Sequence, residues 1–232
     1  MILYGRNPVH EALRAGRRPI ETVWATVRAA REPWLREVPD MQIVSSDEVA
    51  RRCGSPDHQG ICAQVGGYPY IGAAELLATR DPFVVALDEL QDPQNLGAIC
   101  RSAECAGATG VVICDRRAAA VTPAVAKASA GAVEHLRIAR VRNLADFLAQ
   151  AKAAGCWCYG ADGSSPLAYD QPDYGGGVVL VLGGEGSGLR PRVAQACDAL
   201  IALPLRGRVQ SLNASAAAAV LMYGIVQRRR PA

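Results

Sequence analysis

The sequence contains no apolar run long enough to cross a membrane. Its first residues, MILYGR, lack the apolar stretch of a secretory signal peptide. Its 232 residues, 50% hydrophobic and 20% charged, describe a globular protein with one large domain or two small ones. We therefore expect a soluble, cytoplasmic protein, and we exclude the membrane-spanning and disordered classes.

The cysteines lack the spacing of a metal or redox site. None of the eight forms a CxxC pair. Cys156 and Cys158 share a face if they lie on a strand, but further ligands at usable spacing are missing, and the three histidines are scattered. Most cysteines lie within apolar segments, which favours buried free thiols. The sequence therefore predicts no metal site.

Lysine is scarce. Of the 25 basic residues, only Lys127 and Lys152 are lysine, and the net charge is +3. A charge this small does not require a nucleic-acid partner. Arginine suits bidentate phosphate contacts better than lysine does, but a GC-rich coding sequence would give the same bias. The arginine content favours RNA as a partner without requiring it.

The common nucleotide-binding turns are absent. A glycine-rich loop, residues 183–189, follows an apolar strand, but neither Gly184 and Gly186 nor Gly186 and Gly188 are followed by the third glycine of a dinucleotide fingerprint. There is also no Gly-Lys-Ser/Thr, and no acidic residue at the ribose-binding distance. This spacing argues against a nicotinamide oxidoreductase. The loop instead favours exposed backbone amides around one carboxylate, Glu185.

The hydrophobic pattern divides the chain into two units joined by a linker at 68–81, which contains a short helix near 73–79. Residues 1–67 predict a small α/β domain. In it we expect, in order, a helix capped by Asn7, a strand near 22–27, a capped helix starting near Ser46 and a strand near 60–65.

Residues 82–232 alternate between apolar runs and helical segments. Strands are expected at 83–87, 110–114, 135–139, 156–160, 178–182 and 200–203. Helices are expected at 96–106, 123–130, 144–154, 191–196 and 211–228. Strands separated by helices predict an α/β domain with a mostly parallel, doubly wound sheet. Ligands of such sheets bind beyond the carboxyl ends of the strands.

One polar segment follows the first of these strands. The sequence DPQNLGAICR (92–101) opens a helix in which Asn95 is the expected N-cap. Gly97 would let another group approach the backbone closely, and Arg101 lies within the first two turns. A capped helix with a surface arginine explains each of these residues when it is taken alone.

Two further segments repeat this pattern. The sequence LVLGGEGSGL (180–189) places Glu185 beyond a buried strand, and SLNASAA (211–217) begins the last helix, with Ser211 as its expected N-cap. Asn213 then lies within an apolar helix start, where a buried amide would need hydrogen-bond partners. A capping role for Asn213 is the simpler explanation if the segment is taken alone.

In this order the three segments resemble the three motifs of the SpoU (TrmH-like) RNA 2′-O-methyltransferases. YGRNPV (4–9) and HQGI (58–61) resemble the small substrate-binding domain of the RlmB-type subgroup, which modifies a guanosine ribose in 23S ribosomal RNA. The resemblance covers essentially the whole chain. It implies a Rossmann-like domain with a deep trefoil knot (SPOUT), S-adenosylmethionine as the cofactor, RNA as the substrate and a homodimer packed through the knotted domains.

The resemblance also implies the site residues. Arg101 is implicated in activating the 2′-hydroxyl, either as a base or as a clamp for the phosphate and the developing alkoxide; a guanidinium stays protonated in proteins, which makes the first role awkward. Asn95, Glu185, Ser211 and Asn213 would form the polar shell that orients Arg101, the ribose and the cofactor. The residues expected to hold the cofactor are Leu182, Gly183, Gly184, Ile201, Leu203 and Leu212.

Two alternatives remain. A tRNA ribose 2′-O-methyltransferase would use the same chemistry, but enzymes of that type typically lack the N-terminal domain. A catalytically silent knotted RNA-binding protein would not need the polar residues of the three segments, and Arg101, Asn95, Glu185 and Asn213 are all present.

Overall fold

The computed structural model describes residues 1–36, 38, 41–186, 188–209 and 211–229. The N-terminal part is a four-stranded sheet of order β1-β4-β2-β3, packed with two helices. Its elements are β1 (Ile2–Tyr4), α1 (Arg6–Ala15), β2 (Ile20–Ala25), β3 (Gln42–Ile43), α2 (Ser46–Cys53) and β4 (Ile61–Val65). Short 3-10 turns at Ala29–Arg31 and Pro33–Leu35 lie between β2 and β3.

The first helix corrects the expected cap. α1 begins at Arg6, after Gly5 with φ +93°, so Asn7 lies inside the helix and is not its cap. Pro8 is tolerated there because the N–H groups of the first turn have no partner within the helix. The strands β1 and β3, of three and two residues, were not expected from the sequence.

The rest of the chain forms a six-stranded sheet of order β10-β8-β9-β5-β6-β7. Its elements are α3 (Ala73–Leu77), β5 (Phe83–Asp88), α4 (Pro93–Cys105), β6 (Gly110–Cys114), α5 (Pro123–Ala128), β7 (Ile138–Val141), α6 (Leu144–Ala153), β8 (Cys156–Ala161), β9 (Gly177–Gly183), α7 (Pro191–Ala196), β10 (Ala199–Ile201) and α8 (Ala214–Arg228). All five pairs of neighbouring strands are parallel. The prediction of a parallel α/β domain is confirmed; the trefoil knot stays a prediction.

One strand differs from the expectation in a way that has a physical cause. β7 begins at Ile138 instead of at residue 135, and a 3-10 turn, Ala132–Glu134, precedes it. The Tyr68 hydroxyl lies 2.8 and 2.7 Å from the carbonyl oxygens of Val133 and Leu136. Arg17 Nη1, in the N-terminal part, also donates to the carbonyl oxygen of Leu136 at 2.5 Å, so residues 133–136 bind Tyr68 and this part and precede the sheet pairing.

The large sheet is covered on both faces. On one face, α4, α5 and α8 bury an apolar cluster that continues into the core of the small sheet, so that Leu3 and Ile99 belong to the same cluster. A second cluster, which includes Leu148 and Val193, lies on the other face under α3, α6 and α7. Residues of the expected linker pack here as well, and Leu76 is fully buried. None of the described helices is long and apolar enough to span a membrane.

The two sheets are joined by a buried ion pair between Arg18 and Glu134. Their side chains are 2% and 1% exposed, and Arg18 Nε donates to Glu134 Oε2 over 3.0 Å. Arg18 Nη1 also donates to the carbonyl of Gly66, at 3.1 Å. Because both charges are removed from water, each depends on the other for compensation.

We predict that Glu134→Ala lowers the free energy of unfolding by about 3–5 kcal/mol, because it leaves the Arg18 guanidinium buried and unpaired. Urea unfolding would measure the change. The control is Glu48→Ala, which breaks pairs with Arg51 and Arg52, side chains that are 73% and 33% exposed, and should shift the midpoint much less. Equal midpoints for the two variants would contradict this account of the interface.

Candidate functional site

The start of α4 places an asparagine inside the helix. Asp92 is the N-cap, its Oδ1 accepting from Gln94 N at 2.9 Å, and Pro93 follows at the first helical position. The helix thus begins three residues before the expected start, and the expectation that Asn95 is the cap is wrong. Asp-Pro is a strong cap and start signal. Asn95, which is 8% exposed, therefore has its side chain available for another part of the chain.

The loop after β9 folds back on itself and needs its glycines. Gly188 N donates to Gly184 O at 3.1 Å, and a Cβ on Gly183 would lie 2.1 Å from the carbonyl carbon of Gly188. Gly186 and Gly188 have φ of +76° and +64°, which L side chains rarely adopt. The fold of this loop brings Glu185 to the edge of the sheet. Ser187 of the same motif lies outside the described residues.

The last helix has a different cap from the one expected. α8 begins at Ala214, and Asn213 Oδ1 accepts from Ser215 N and Ala216 N at 2.9 and 3.3 Å. Ser211 therefore lies outside the helix and is exposed. The capping role considered for Asn213 is confirmed. Capping uses only the oxygen of the side-chain amide and leaves its nitrogen available to donate elsewhere.

The three segments meet through a chain of side-chain hydrogen bonds. Asn95 Nδ2 donates to Glu185 Oε1, and Asn213 Nδ2 donates to Asn95 Oδ1 at 3.0 Å. Asn95 thus uses its donor and its acceptor on two different segments. This chain satisfies the polar atoms of an almost buried amide and fixes the positions of the two loops relative to α4.

A second contact holds the glycine-rich loop from its other end. Arg190 follows the loop, and its guanidinium lies 2.6 Å from Asp88 and 2.9 Å from Glu89. Arg190 N also donates to Asp88 Oδ2 at 2.9 Å. The Asp88 side chain is fully buried, and its hydrogen bond raises the pKa of Arg190 above the usual value. The loop 184–189 is therefore anchored to the end of β5.

A cavity of about 640 Å³ opens beside this network, at the carboxyl ends of β8, β9 and β10. Nine of the eleven residues predicted for the site line it: Leu182, Gly183, Gly184, Glu185, Ile201, Leu203, Ser211, Leu212 and Asn213. Sequence reasoning missed other lining residues, among them Ala161, Asp162 and Leu205. The position of Asp162 directly after β8 was the signal that could have identified it.

Asp162 adds a negative charge to the cavity. Hydrogen bonds from the Ser164 hydroxyl and backbone N–H lower the pKa of Asp162 below its usual value. With Glu185, which follows the neighbouring parallel strand β9, the lining carries two carboxylates. No lysine or arginine is found among the described residues that line the cavity. Such a site favours a ligand that carries positive charge.

Two predicted residues do not line the cavity. Asn95 lies behind it, hydrogen-bonded to the lining residues Glu185 and Asn213. Arg101 lies on the exposed side of α4, and its side chain makes no hydrogen bond or ion pair with any residue that the structure describes. Its guanidinium is therefore free to contact a molecule outside the cavity.

The comparisons with known proteins agree with this geometry. The profile of the SpoU rRNA Methylase family matches residues 82–223, more than half of the chain. The chain belongs to the SpoU family. A second profile, RNA 2′-O ribose methyltransferase substrate binding, matches residues 2–71. The three hydrogen-bonded segments of the site all lie within the SpoU match.

Relatives in the SpoU family resemble this chain over nearly its full length. YacO of Bacillus subtilis, assigned to the TrmH family of tRNA/rRNA methyltransferases, is 40% identical over 239 residues, covering 98% of this chain and 95% of the relative. The AdoMet-bound rRNA methyltransferase of Sinorhizobium meliloti is 25% identical, with a TM-score of 0.80 over 97% of this chain and 86% of that structure. The SpoU methyltransferase AviRb of Streptomyces viridochromogenes shares the fold, with a TM-score of 0.82 at 24% identity over 98% and 89% of the two chains.

We predict that Arg190→Met lowers the free energy of unfolding by roughly 1–3 kcal/mol, because Asp88 is left buried without its cation. The lower part of that range allows for Arg190 being 43% exposed. Thermal and urea unfolding would measure the change. Arg192→Met is the matched control, since Arg192 pairs with Asp146 at 3.7 Å and both side chains are exposed. Equal free energies of unfolding of the two variants would contradict the conclusion that Arg190 anchors the loop.

Proposed function

We propose that this protein transfers a methyl group from S-adenosylmethionine to a ribose 2′-hydroxyl in RNA. The observation that carries this proposal is the hydrogen-bond chain Glu185–Asn95–Asn213, which joins the three SpoU motif segments beside one cavity. The rival fold-level function, a nicotinamide oxidoreductase, is not supported, because Asp162 and Glu185 would repel a dinucleotide pyrophosphate and no arginine or lysine of the described lining offsets them.

The cavity suits S-adenosylmethionine in size and charge. Its volume of about 640 Å³ lies in the range of cofactor sites. The apolar side chains of Leu182, Ile201 and Leu203 can pack on an adenine ring, and Gly183 and Gly184 leave their backbone within reach of it. Asp162 and Glu185 are complementary to a sulfonium and an ammonium group. The cofactor-holding residues are therefore those named from the sequence, with Asp162 added.

When bound, S-adenosylmethionine supplies a sulfonium-activated methyl group. The protein must then hold the ribose hydroxyl in line and assist the loss of its proton. Arg101 serves as a clamp on the neighbouring phosphate and on the negative charge that develops on oxygen, because a guanidinium donates paired hydrogen bonds to anionic oxygens. Asn95 and Asn213 are positioning residues for Glu185, which orients the ribose, and Ser211 completes this polar lining.

The substrate we propose is a guanosine of 23S ribosomal RNA. The support for this choice over tRNA is the N-terminal domain, since residues 2–71 match a substrate-binding profile and the buried Arg18–Glu134 pair fixes this domain against the methyltransferase sheet.

We also propose a homodimer packed through α8. The inner face of α8 is buried by Leu221, Met222 and Ile225, while Val220 and Tyr223 are each 45% exposed on the outer face. Covering such a stripe would remove apolar surface from water. Sedimentation equilibrium should give twice the monomer mass, and Val220→Asp should shift it toward the monomer. A wild-type monomer at micromolar concentration would contradict this proposal.

The direct test is transfer of labelled methyl from S-adenosylmethionine to protein-free 23S ribosomal RNA, with total tRNA in parallel, followed by mapping of the 2′-O-methyl position. Label in 23S RNA alone supports the proposal, and label in tRNA alone assigns the protein to the tRNA alternative. S-adenosylhomocysteine should raise the melting temperature while NADH should not, since only a ligand of the folded state stabilises it. Cofactor binding without transfer to either RNA would favour the silent RNA-binding alternative.

We predict that Arg101→Ala lowers kcat by about 10²–10³-fold, the usual effect of removing one group that stabilises developing charge. The affinity for S-adenosylhomocysteine should stay unchanged, because Arg101 does not line the cavity. Isothermal titration and single-turnover kinetics would measure the two quantities. The matched control is Arg137→Ala, an exposed arginine before β7. A parallel loss of cofactor affinity would show that Arg101 is structural.

A further inference from the structure

A group of exposed arginines lies beyond the candidate site, at the same carboxyl ends of the strands of the large sheet. Arg116 and Arg117 come one residue after the end of β6, and Arg142 directly follows β7. The two strand ends are held together, because Cys114 is paired with Val141 and Asp115 N donates to Val141 O at 2.8 Å. We call Arg116, Arg117 and Arg142 the basic edge.

The acidic groups near the basic edge are already paired with other cations. Asp115 binds Arg140 at 3.0 Å, and Asp88 and Glu89 bind Arg190. The side chains of the basic edge make no ion pair or hydrogen bond with any residue that the structure describes. Their positive charge is therefore available to a partner outside the chain.

The basic edge lies in line with the cofactor cavity. The register pairs Gly183 with Asp88 and Leu87 with Ile113, so that β9, β5, β6 and β7 end in one row. At about 4.8 Å per strand, the basic edge lies roughly 10–15 Å from Gly183. The loop after β6 also contacts the loop that leads from β5 into the first motif segment, since Ala119 N donates to Leu90 O at 2.8 Å. A polymer whose ribose reacts at the cavity can therefore reach the basic edge within a few nucleotides.

The chemistry of this surface favours RNA over a protein. Protein interfaces have an apolar core, yet none of the large hydrophobic side chains found exposed in the described residues lies between 83 and 143. Protection of an edge strand from pairing could explain the arginine at the end of β7. It does not explain Arg116 and Arg117, because they follow β6, which is an interior strand.

We propose that the basic edge binds backbone phosphates of the RNA on one side of the methylated nucleotide. This inference rests on the proposed function and deepens it by naming where the RNA leaves the active site. The contacts are made to phosphates, so they position the RNA and do not read its sequence.

The test compares two triple variants of the full-length protein that lose the same charge. The first carries Arg116→Gln, Arg117→Gln and Arg142→Gln. The control carries Arg80→Gln, Arg137→Gln and Arg228→Gln, which are exposed arginines before β5, before β7 and at the end of α8, away from the carboxyl ends of the strands. The probes are an unmodified 23S ribosomal RNA transcript and a labelled single-stranded RNA of about twenty nucleotides, read by fluorescence anisotropy at several salt concentrations.

For the first variant we expect RNA affinity to fall at least about tenfold and the slope of log Kd against log salt to decrease by about 0.7 for each lost phosphate contact. The KM for RNA should rise, while kcat and the affinity for S-adenosylhomocysteine stay within about twofold. The control variant should bind RNA with nearly the affinity of the wild type, and the loss of three positive charges should weaken its binding only slightly.

Equal RNA affinities of the two triple variants overturn the proposal. So does an unchanged RNA affinity together with weaker binding of polyglutamate, which would assign the basic edge to an acidic protein. A wild type that binds RNA but transfers no methyl contradicts the proposed function instead, and the anisotropy comparison still decides the role of the basic edge.

Discussion

The side-chain amide of Asn95 is the constraint on which the site depends. It bonds to Glu185 through nitrogen and to Asn213 through oxygen, so an aspartate or a leucine of similar size could not replace it. Its position requires that α4 lie close against α5. Gly97 permits this approach, because a Cβ there would lie 2.4 Å from the Cβ of Ala128. The packing of two helices thus determines where two distant loops meet.

Charge is arranged differently at three places along the carboxyl ends of the strands in the large sheet. Beneath the glycine-rich loop, carboxylates are paired with Arg190 and serve to hold the backbone. Inside the cavity, Asp162 and Glu185 are not paired with a cation of the described chain. Beyond the first motif segment, the three arginines of the basic edge have no acidic partner among the residues that the structure describes. A cationic cofactor and an anionic polymer are thereby directed to separate places.

Much of the large domain could be predicted from the sequence, because long apolar runs identify buried parallel strands and three motif segments identify their functional ends. The caps could not be predicted reliably, since Asp92, Asn95, Ser211 and Asn213 are all good capping residues and only tertiary contacts decide among them. The predicted start of β7 was wrong because the hydroxyl of Tyr68, a residue distant in sequence, binds the carbonyl oxygens of Val133 and Leu136 before the strand. The smallest strands carry too few residues for a periodic signal.

The order of strands in the large sheet has a consequence for synthesis on the ribosome. β9 lies between β8 and β5, yet it is made after both. Until residues 177–183 have left the exit tunnel, β5 presents an open edge and β8 has neither of its neighbours. A nascent chain of this topology carries the open edge of β5 while residues 89–176 are made, which exposes it to association with other chains.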